Sequence, residues 1–495
     1  MTQRPEDFPE DLIERDLVDD EVAEAAAVFI DQPAPPRGSR LVPAIIGSAM
    51  FLSNLSATSV STALPTMAPA LGVEPLRLNV VISAYLLGLT GFLPISGWLA
   101  DRLGARRVLM GAMLLFALAS AACGLAGNLA LLVCFRLIQG CAGAMMTPVG
   151  RLVLLRSTPK NELVGAMSML TVPAMVGPVL GPLLGGAAVS VASWRWVFFM
   201  NLPVAVASVL LVRFFVPDVK EQEVARFDAI GAALTAIGLA GLIFGVDNLG
   251  HAGLGWLTLL LLAIGLGALA LYRLHARRRP HAIVDLSIFR IPTFRASVVG
   301  GSFFRLMAGA TPFLLAMLLQ VGFGMSALAA GLMTFLSAVG SLVMKLAAPP
   351  ILRRFGFRTV LLANAAICAL SFAGCALFTT GTPHWVIAAV LGIGGFFRSL
   401  QFTSINGMAF ADLEQRQMSR GTTASAMVSQ FVASVSVGLS ALMLHLIMHW
   451  RGETRLTAAS VSPAFVVLAL VTLLSLPWFM RLPADAGSTM TKGAR

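Results

Sequence analysis

The chain has 495 residues, of which 57% are hydrophobic and 12% charged, and its formal net charge is +11. Soluble domains carry about 25% charged residues, so the composition excludes an ordinary water-soluble enzyme. The basic excess does not indicate nucleic-acid binding, because most of it falls in short loops between apolar runs, where it sets membrane orientation.

Residues 1–40 form an acidic tail running from Glu6 and Asp7 to Asp31. Positions 9–30 suit a short helix, and Pro33-Ala-Pro-Pro-Arg-Gly38 suits a linker. Disorder is the default expectation for the tail, with a regulatory or docking role as the alternative. No apolar segment near the start suggests a cleavable signal.

Apolar runs long enough to cross a bilayer are predicted at 41–64, 78–99, 108–126, 129–151, 163–188, 195–216, 228–247, 254–274, 296–320, 326–347, 358–378, 384–405, 420–447 and 460–481. About 14 helices make an all-α integral membrane protein with both termini on one side. Loops after the even-numbered spans hold Arg102, Arg106, Arg107, Arg156, Lys160, Arg277, Arg278, Arg279, Arg353, Arg354 and Arg358 among others, whereas the opposite loops hold little beyond Arg77, Arg195, Arg451 and Arg455. That asymmetry places both termini in the cytoplasm and the protein, multi-pass, in the cytoplasmic (inner) membrane. Residues 276–295 are basic and mildly amphipathic and are expected on the inner membrane surface.

The most informative loop is Gly97-Trp-Leu-Ala-Asp101-Arg102-Leu-Gly104-Ala-Arg106-Arg107. A carboxylate and three arginines between two spans are costly unless they sit at the membrane face and pair. Asp101 can accept from a helix N-terminus and pair with an arginine, so Gly97, Asp101, Arg102, Gly104, Arg106 and Arg107 form a candidate inside gate. The alternative is a solvated loop that only fixes topology. Pro349-Pro350-Ile-Leu-Arg353-Arg354-Phe-Gly356-Phe-Arg358 echoes this loop, with its acid replaced by arginine. The echo divides the chain into a six-helix half (41–216), two extra helices (217–275), the basic segment (276–295), a second six-helix half (296–481) and a tail (482–495). Paired halves put a substrate site at their interface, near the bilayer midplane.

Further stretches stand in the apolar runs. They are Arg136-Leu-Ile-Gln139-Gly140 with Gly143, then Gly177-Pro178-Val-Leu-Gly181-Pro182-Leu-Leu-Gly185-Gly186, and Trp194-Arg-Trp-Val-Phe-Phe-Met-Asn201-Leu-Pro203. Together with the Asp101 loop they resemble the major facilitator superfamily, in its drug:proton antiporter branch with 14 spans (EmrB/QacA type), over most of residues 41–480. The resemblance implies the major facilitator fold and export of small molecules across the lipid bilayer by alternating access. It also implies multidrug-efflux activity, protons as coupling ion, and the glycine-proline run (Gly177, Pro178, Gly181, Pro182, Gly185, Gly186) as the motif that separates exporters from importers. The protein is expected to act as a monomer.

One departure bears on mechanism. The branch's first span typically reads L-D-x-T-I-V-N-x-A-L-P, with the acid a candidate proton carrier, whereas here Leu55-Ser56-Ala-Thr-Ser-Val-Ser61-Thr-Ala-Leu-Pro65 has Ser56 in the acid's place. The remaining acids between 40 and 480, Asp247 among them, are expected in loops or at span ends. The cavity is then expected to be cationic, with Arg136, Arg305 and Arg398 and the neutral groups Asn54, Ser56, Gln139, Gln320 and Asn406. Such a site favours an anionic or zwitterionic substrate. Lys345 is expected to snorkel to the surface, and Met145, Met146, Phe303 and Phe313 to pack or face lipid, with lining of an apolar cavity as the alternative.

The five cysteines fall in apolar runs and are expected as buried free thiols. His445 and His449 share a helix face but have no evident third ligand. No nucleophile, metal, cofactor or phosphate-loop pattern appears, so neither an enzyme nor an ATP-driven pump is expected. Two alternatives stand beside the efflux reading: an exporter of an anionic metabolite or lipid with non-standard coupling, and a membrane sensor or scaffold that does not transport.

Overall fold

A computed structural model describes residues 42–157, 163–216, 228–253, 255–278, 286–413, 415–453, 455–483 and 486–487. The acidic tail, most of the basic segment and most of the C-terminal tail lie outside the described residues.

In hydrocarbon every backbone N–H and C=O must find a partner within the protein, and the helix is the local solution. The apolar runs accordingly become α1 (Val42–Leu71), α2 (Asn79–Leu103), α3 (Ala105–Leu125), α4 (Leu129–Ser157), α5 (Leu163–Val191), α6 (Asn201–Phe215), α7 (Ala229–Ala252) and α8 (Trp256–Arg278). They continue as α9 (Pro292–Gly322), α10 (Ala327–Phe355), α11 (Phe357–Gly374), α12 (His384–Phe410), α13 (Gln415–Arg451) and α14 (Ala458–Leu473). Thirteen spans among the described residues are long and apolar enough to cross a membrane. The remaining predicted span is α5, whose described apolar part is Val176–Val191.

Several helices outrun their predicted ends. α1 continues through Pro65 and Pro69 to Leu71, because neighbouring helices tolerate the lost backbone donors. α9 gains π-helical turns at Ala296–Gly300 and Met317–Gly322 on either side of its α-helical core. α7 runs to Ala252 rather than 247, so Asp247 is inside a helix.

The packing repeats. In the first half α1 lies against α5, α2 against α4, and α3 against α4 and α6. In the second half α9 lies against α13, α10 against α12, and α11 against α12 and α14. The halves meet along two seams, α5 with α10 and α2 with α13.

The two echoed loops show the same pseudo-symmetry. Each is a single glycine between two helices, Gly104 at φ 95° and Gly356 at φ 74°, a conformation only glycine adopts without strain. Two residues on, Arg106 donates to the Arg213 carbonyl at the end of α6. Arg358 donates to the Met480 carbonyl beyond α14 at 2.9 Å.

Helix order gives the molecule a terminal face, where Val42 and Arg481 lie, and a distal face. On the distal side the halves are fastened. Gln320 donates to the Thr62 carbonyl at 2.8 Å, and the Leu328 amide donates to Ser190 Oγ at 3.2 Å. A Cβ at Gly186 or Gly331 would strike the Ala327 or Pro182 carbonyl of the opposite half. The largest buried apolar cluster runs from the second half into the distal ends of α1 and α2.

α7 and α8 are not a free tether. Gly238, Gly241 and Gly245 let α7 approach Leu269, Gly265 and Leu262 of α8 closely, the small-residue packing expected where lipid supplies no drive for association. The other face of α7 lies against both α2 and α13, and so covers one of the two seams.

Candidate functional site

The proline spacing of α5 builds one wall of a cavity of about 420 Å³ between the halves. Pro178 and Pro182, one turn apart, face it, together with Thr58, Ser61 and Thr62 of α1. The second half supplies Thr311, Pro312 and Gln320 from α9, Thr334, Ser337, Ser341 and Lys345 from α10, and Arg398 and Phe402 from α12. The glycines of the same run turn to other neighbours. A Cβ at Gly177 would stand 2.9 Å from the Phe51 carbonyl, and one at Gly185 2.5 Å from the Ser59 carbonyl. Gly181 meets the Thr58 hydroxyl, and Gly186 meets the other half. The run therefore lets α5 seat against α1 and α10 while its prolines face the cavity.

Arg398 is the charge the cavity holds at depth. Its Nη2 donates to Ser337 Oγ at 2.5 Å and its Nη1 to Thr311 Oγ1 at 3.5 Å. Lys345, exposed and nearer the terminal face, is the second cation of the lining, and among the described residues no carboxylate belongs to that lining.

Of the eight residues expected in the cavity, the structure places Gln320 and Arg398 in its wall. The other six lie elsewhere. Arg136 is fully buried inside the first half. Its Nη1 donates to Gln139 Oε1 at 2.7 Å and to Ser56 Oγ at 3.1 Å, and its Nε to the Val81 carbonyl at 3.3 Å. The guanidinium carbon lies 4.3 Å from the Tyr85 ring centroid. Nη2 has no partner, nor does Gln139 Nε2. Asn54 donates to the Ala174 carbonyl at 2.9 Å and so ties α1 to α5. Arg305 is 3% exposed; it donates to the Asn406 Oδ1 at 3.0 Å and to the Ser297 carbonyl at 3.2 Å, joining α9 to α12.

The first and second halves thus each bury an arginine held by neutral groups, and only Arg398 turns to the space between them. Sequence reasoning found all three arginines but could not separate them by depth. The cavity also holds Ser337 and Thr311, which carry no sequence signal beyond being polar residues in apolar runs, and Lys345, which was expected only to snorkel.

At the gating loop, Asp101 sits half-buried in the last turn of α2. Arg102 lies over the Trp98 ring at 5.1 Å, Gly97 has no neighbour within 4 Å of a built Cβ, and Arg107 is exposed. Two expectations need correction. Cys134 is exposed on its helix and Cys141 half-buried, so only Cys123, Cys368 and Cys375 are buried thiols. Asp247, expected at a span end, is 5% exposed and accepts a bond from Asn79. The i, i+4 series Thr235, Leu239, Ile243, Asp247 was the available sign of its burial. Met145, Met146 and Phe313 are buried in packing.

Among the described residues no group of three or more His, Cys, Asp or Glu could hold a metal.

Known proteins resemble this arrangement. A family model described as Major Facilitator Superfamily matches residues 46–437. The Escherichia coli (strain K12) protein named "Putative multidrug resistance protein MdtD" is 37% identical over 446 residues, 89% of this chain and 94% of that protein. Two solved structures share the fold. One is an auto inhibited POT family peptide transporter, with TM-score 0.66 and 16% identity over 90% of this chain and 98% of that one. The other is a bacterial homolog of the human lysosomal transporter Spinster, with TM-score 0.63 and 14% identity over 93% and 99%.

Proposed function

The chain belongs to the Major Facilitator Superfamily and is a multi-pass membrane transporter, and on that premise we propose that it exports amphipathic, negatively charged small molecules from the cytoplasm by alternating access. The observation that carries the charge preference is Arg398, aimed into a cavity whose lining holds a second cation, Lys345, and no carboxylate. A desolvated cation without an acid partner attracts an anionic or zwitterionic group. The prolines, Phe402, Leu315 and Leu342 supply the apolar surface for the rest of the molecule, the usual division of labour in small-molecule sites.

Export, rather than import, rests on the multidrug-resistance name of the related Escherichia coli protein and on the glycine-proline run of α5. The arginines at the terminal-face ends of α2, α8 and α10 support placing that face in the cytoplasm, with the protein in the inner membrane. The Asp101 loop, at that face, serves as the inside gate, and the fastened distal ends form its outer counterpart. The transmembrane proton gradient is the energy source.

The test is flux in proteoliposomes with and without an imposed pH gradient, using matched lipophilic anions, zwitterions and cations. Gradient-stimulated flux of the anions or zwitterions, lost in Arg398→Gln, is the expected result. Strictly proton-coupled movement of cations alone, unaffected by Arg398→Gln, would overturn the charge assignment.

A further inference from the structure

The face of α7 that seats between α2 and α13 is a stripe at four-residue spacing. Thr235, Leu239, Ile243 and Asp247 are each at most 8% exposed. Leu239 and Ile243 pack with Leu87 of α2 and Met427 of α13. The stripe ends in a carboxylate. Oδ1 of Asp247 accepts from Asn79 Nδ2 at 2.5 Å, at the first turn of α2. On the other side, a Cβ built at Gly438 of α13 would stand 3.5 Å from that same oxygen. Asp247 therefore touches a helix of each half at the distal end of the seam.

Its surroundings are neutral. From α2 it faces Asn79, and from α13 the bare backbone of Gly438. One turn deeper the Ser434 hydroxyl donates to the Ser83 carbonyl across the seam at 3.3 Å. On its own helix the neighbouring Asn248 turns away to Thr258 of α8 at 2.8 Å. Among the described residues no lysine, arginine, histidine or second acid pairs with it.

We propose that Asp247 is a proton-binding site, and that its protonation permits the distal seam between α2 and α13 to close. An ionised carboxylate taken out of water needs a cation or several donors, and a single amide does not offset the cost. A neutral acid with one amide partner fits the closed seam. In alternating access the distal ends of α2 and α13 separate, which wets Asp247 and favours its charged form. The closing step binds one proton from distal water on Oδ2, the oxygen not held by Asn79, and breaks no other bond. The site stands outside the substrate cavity, so proton and substrate need not compete for one side chain. This inference rests on the transport reading above for its purpose, but not for its test.

The test uses the full-length protein in lipid nanodiscs, without substrate. Spin labels at Ser190→Cys and Leu328→Cys, in a cysteine-free background, report the distal separation as pH is varied. The parent is expected to shift from open to closed as pH falls. Asp247→Asn, a near-isostere of the protonated acid, is expected to remain closed at every pH. Asp247→Glu is expected to restore the response with a displaced midpoint, which a purely structural role would not produce. A pH response in Asp247→Asn equal to the parent's overturns the proposal. Should Asp247→Asn fail to fold, a Glu variant with the parent's midpoint overturns it as well. In proteoliposomes flux with and without a gradient should both fall about tenfold or more in Asp247→Asn, because a distal seam that stays closed blocks both. A parent that moves no substrate would refute the transport reading, and the label distances would still decide the role of Asp247.

Discussion

Arg136 brings a full charge to a place with no exposure, and its guanidinium is met by a serine, a glutamine, a carbonyl and an aromatic ring rather than an acid. Position 56, where the resembling family places an aspartate, is among those that touch it. The missing acid is thus a missing partner for a buried arginine, and the orphaned Nη2 is the mark it leaves. Replacing Ser56 by Asp should supply that partner and raise the unfolding temperature of the purified protein. Arg136→Lys should lower stability by about 1–3 kcal/mol, since an ammonium loses the fork and the stack on Tyr85. Thermal unfolding in detergent reads both, and a destabilised Ser56→Asp would show that the pocket has no room for the longer acid. Arg398 differs in facing the cavity. Arg398→Gln should weaken binding of an anionic compound about tenfold or more, equivalent to about 1.4 kcal/mol or more, with folding retained. Isothermal titration with the compound found in the flux screen measures it.

At the scale of the element, α5 shows how one run of small residues serves three neighbours. Gly185 has the Ser59 backbone carbonyl 2.5 Å from where a Cβ would be, so Gly185→Ala must push α1 and α5 apart and should reduce both yield and stability. Gly181 meets the Thr58 side chain, whose hydroxyl can rotate away but whose Cβ stands 2.9 Å from where the glycine's Cβ would be. Gly181→Ala should therefore keep part of the transport, and Gly181→Leu should abolish it. Gly186 differs again, because its neighbour is the Ala327 carbonyl of the opposite half. Gly186→Ala should leave the fold intact and disfavour the closed distal face, which the same spin-label pair would report as a larger open fraction. An unchanged distance distribution would mean that the α5–α10 contact yields without opening.

For the whole molecule, the pseudo-symmetry makes paired predictions. Arg106→Ala and Arg358→Ala each remove a bond from a loop arginine to the carbonyl that ends the last helix of its half. Each should cost about 1–3 kcal/mol, as for charged donors on a carbonyl, and the two losses should add because the sites share no partners. Thermal unfolding of the single and double variants tests this, and a loss confined to one half would break the equivalence. α13, at 37 residues, spans about 55 Å along its axis. It therefore reaches past the hydrocarbon region, and it packs against both α2 and α7 on the way. The seam is a three-helix assembly, so the first of the two extra helices belongs to the interface between the halves and not to its periphery.

Hydropathy was enough for the helices and their order, because a bilayer allows little else: backbone groups must be satisfied locally. The loop repeat was equally readable, since Gly104 and Gly356 are required by backbone geometry within a few residues of chain. The depth of each side chain was not. Arg136, Arg305 and Arg398 sit in apolar runs of similar composition, yet only the last faces the space between the halves. Asp247 stands at a predicted span end, yet it is buried because α7 docks on a seam formed by helices some 170 residues before it and 190 after it in the chain. Which face of a helix meets a partner depends on the packing of segments far apart in sequence. Local periodicity records that a face is buried, but only the tertiary structure decides what it is buried against.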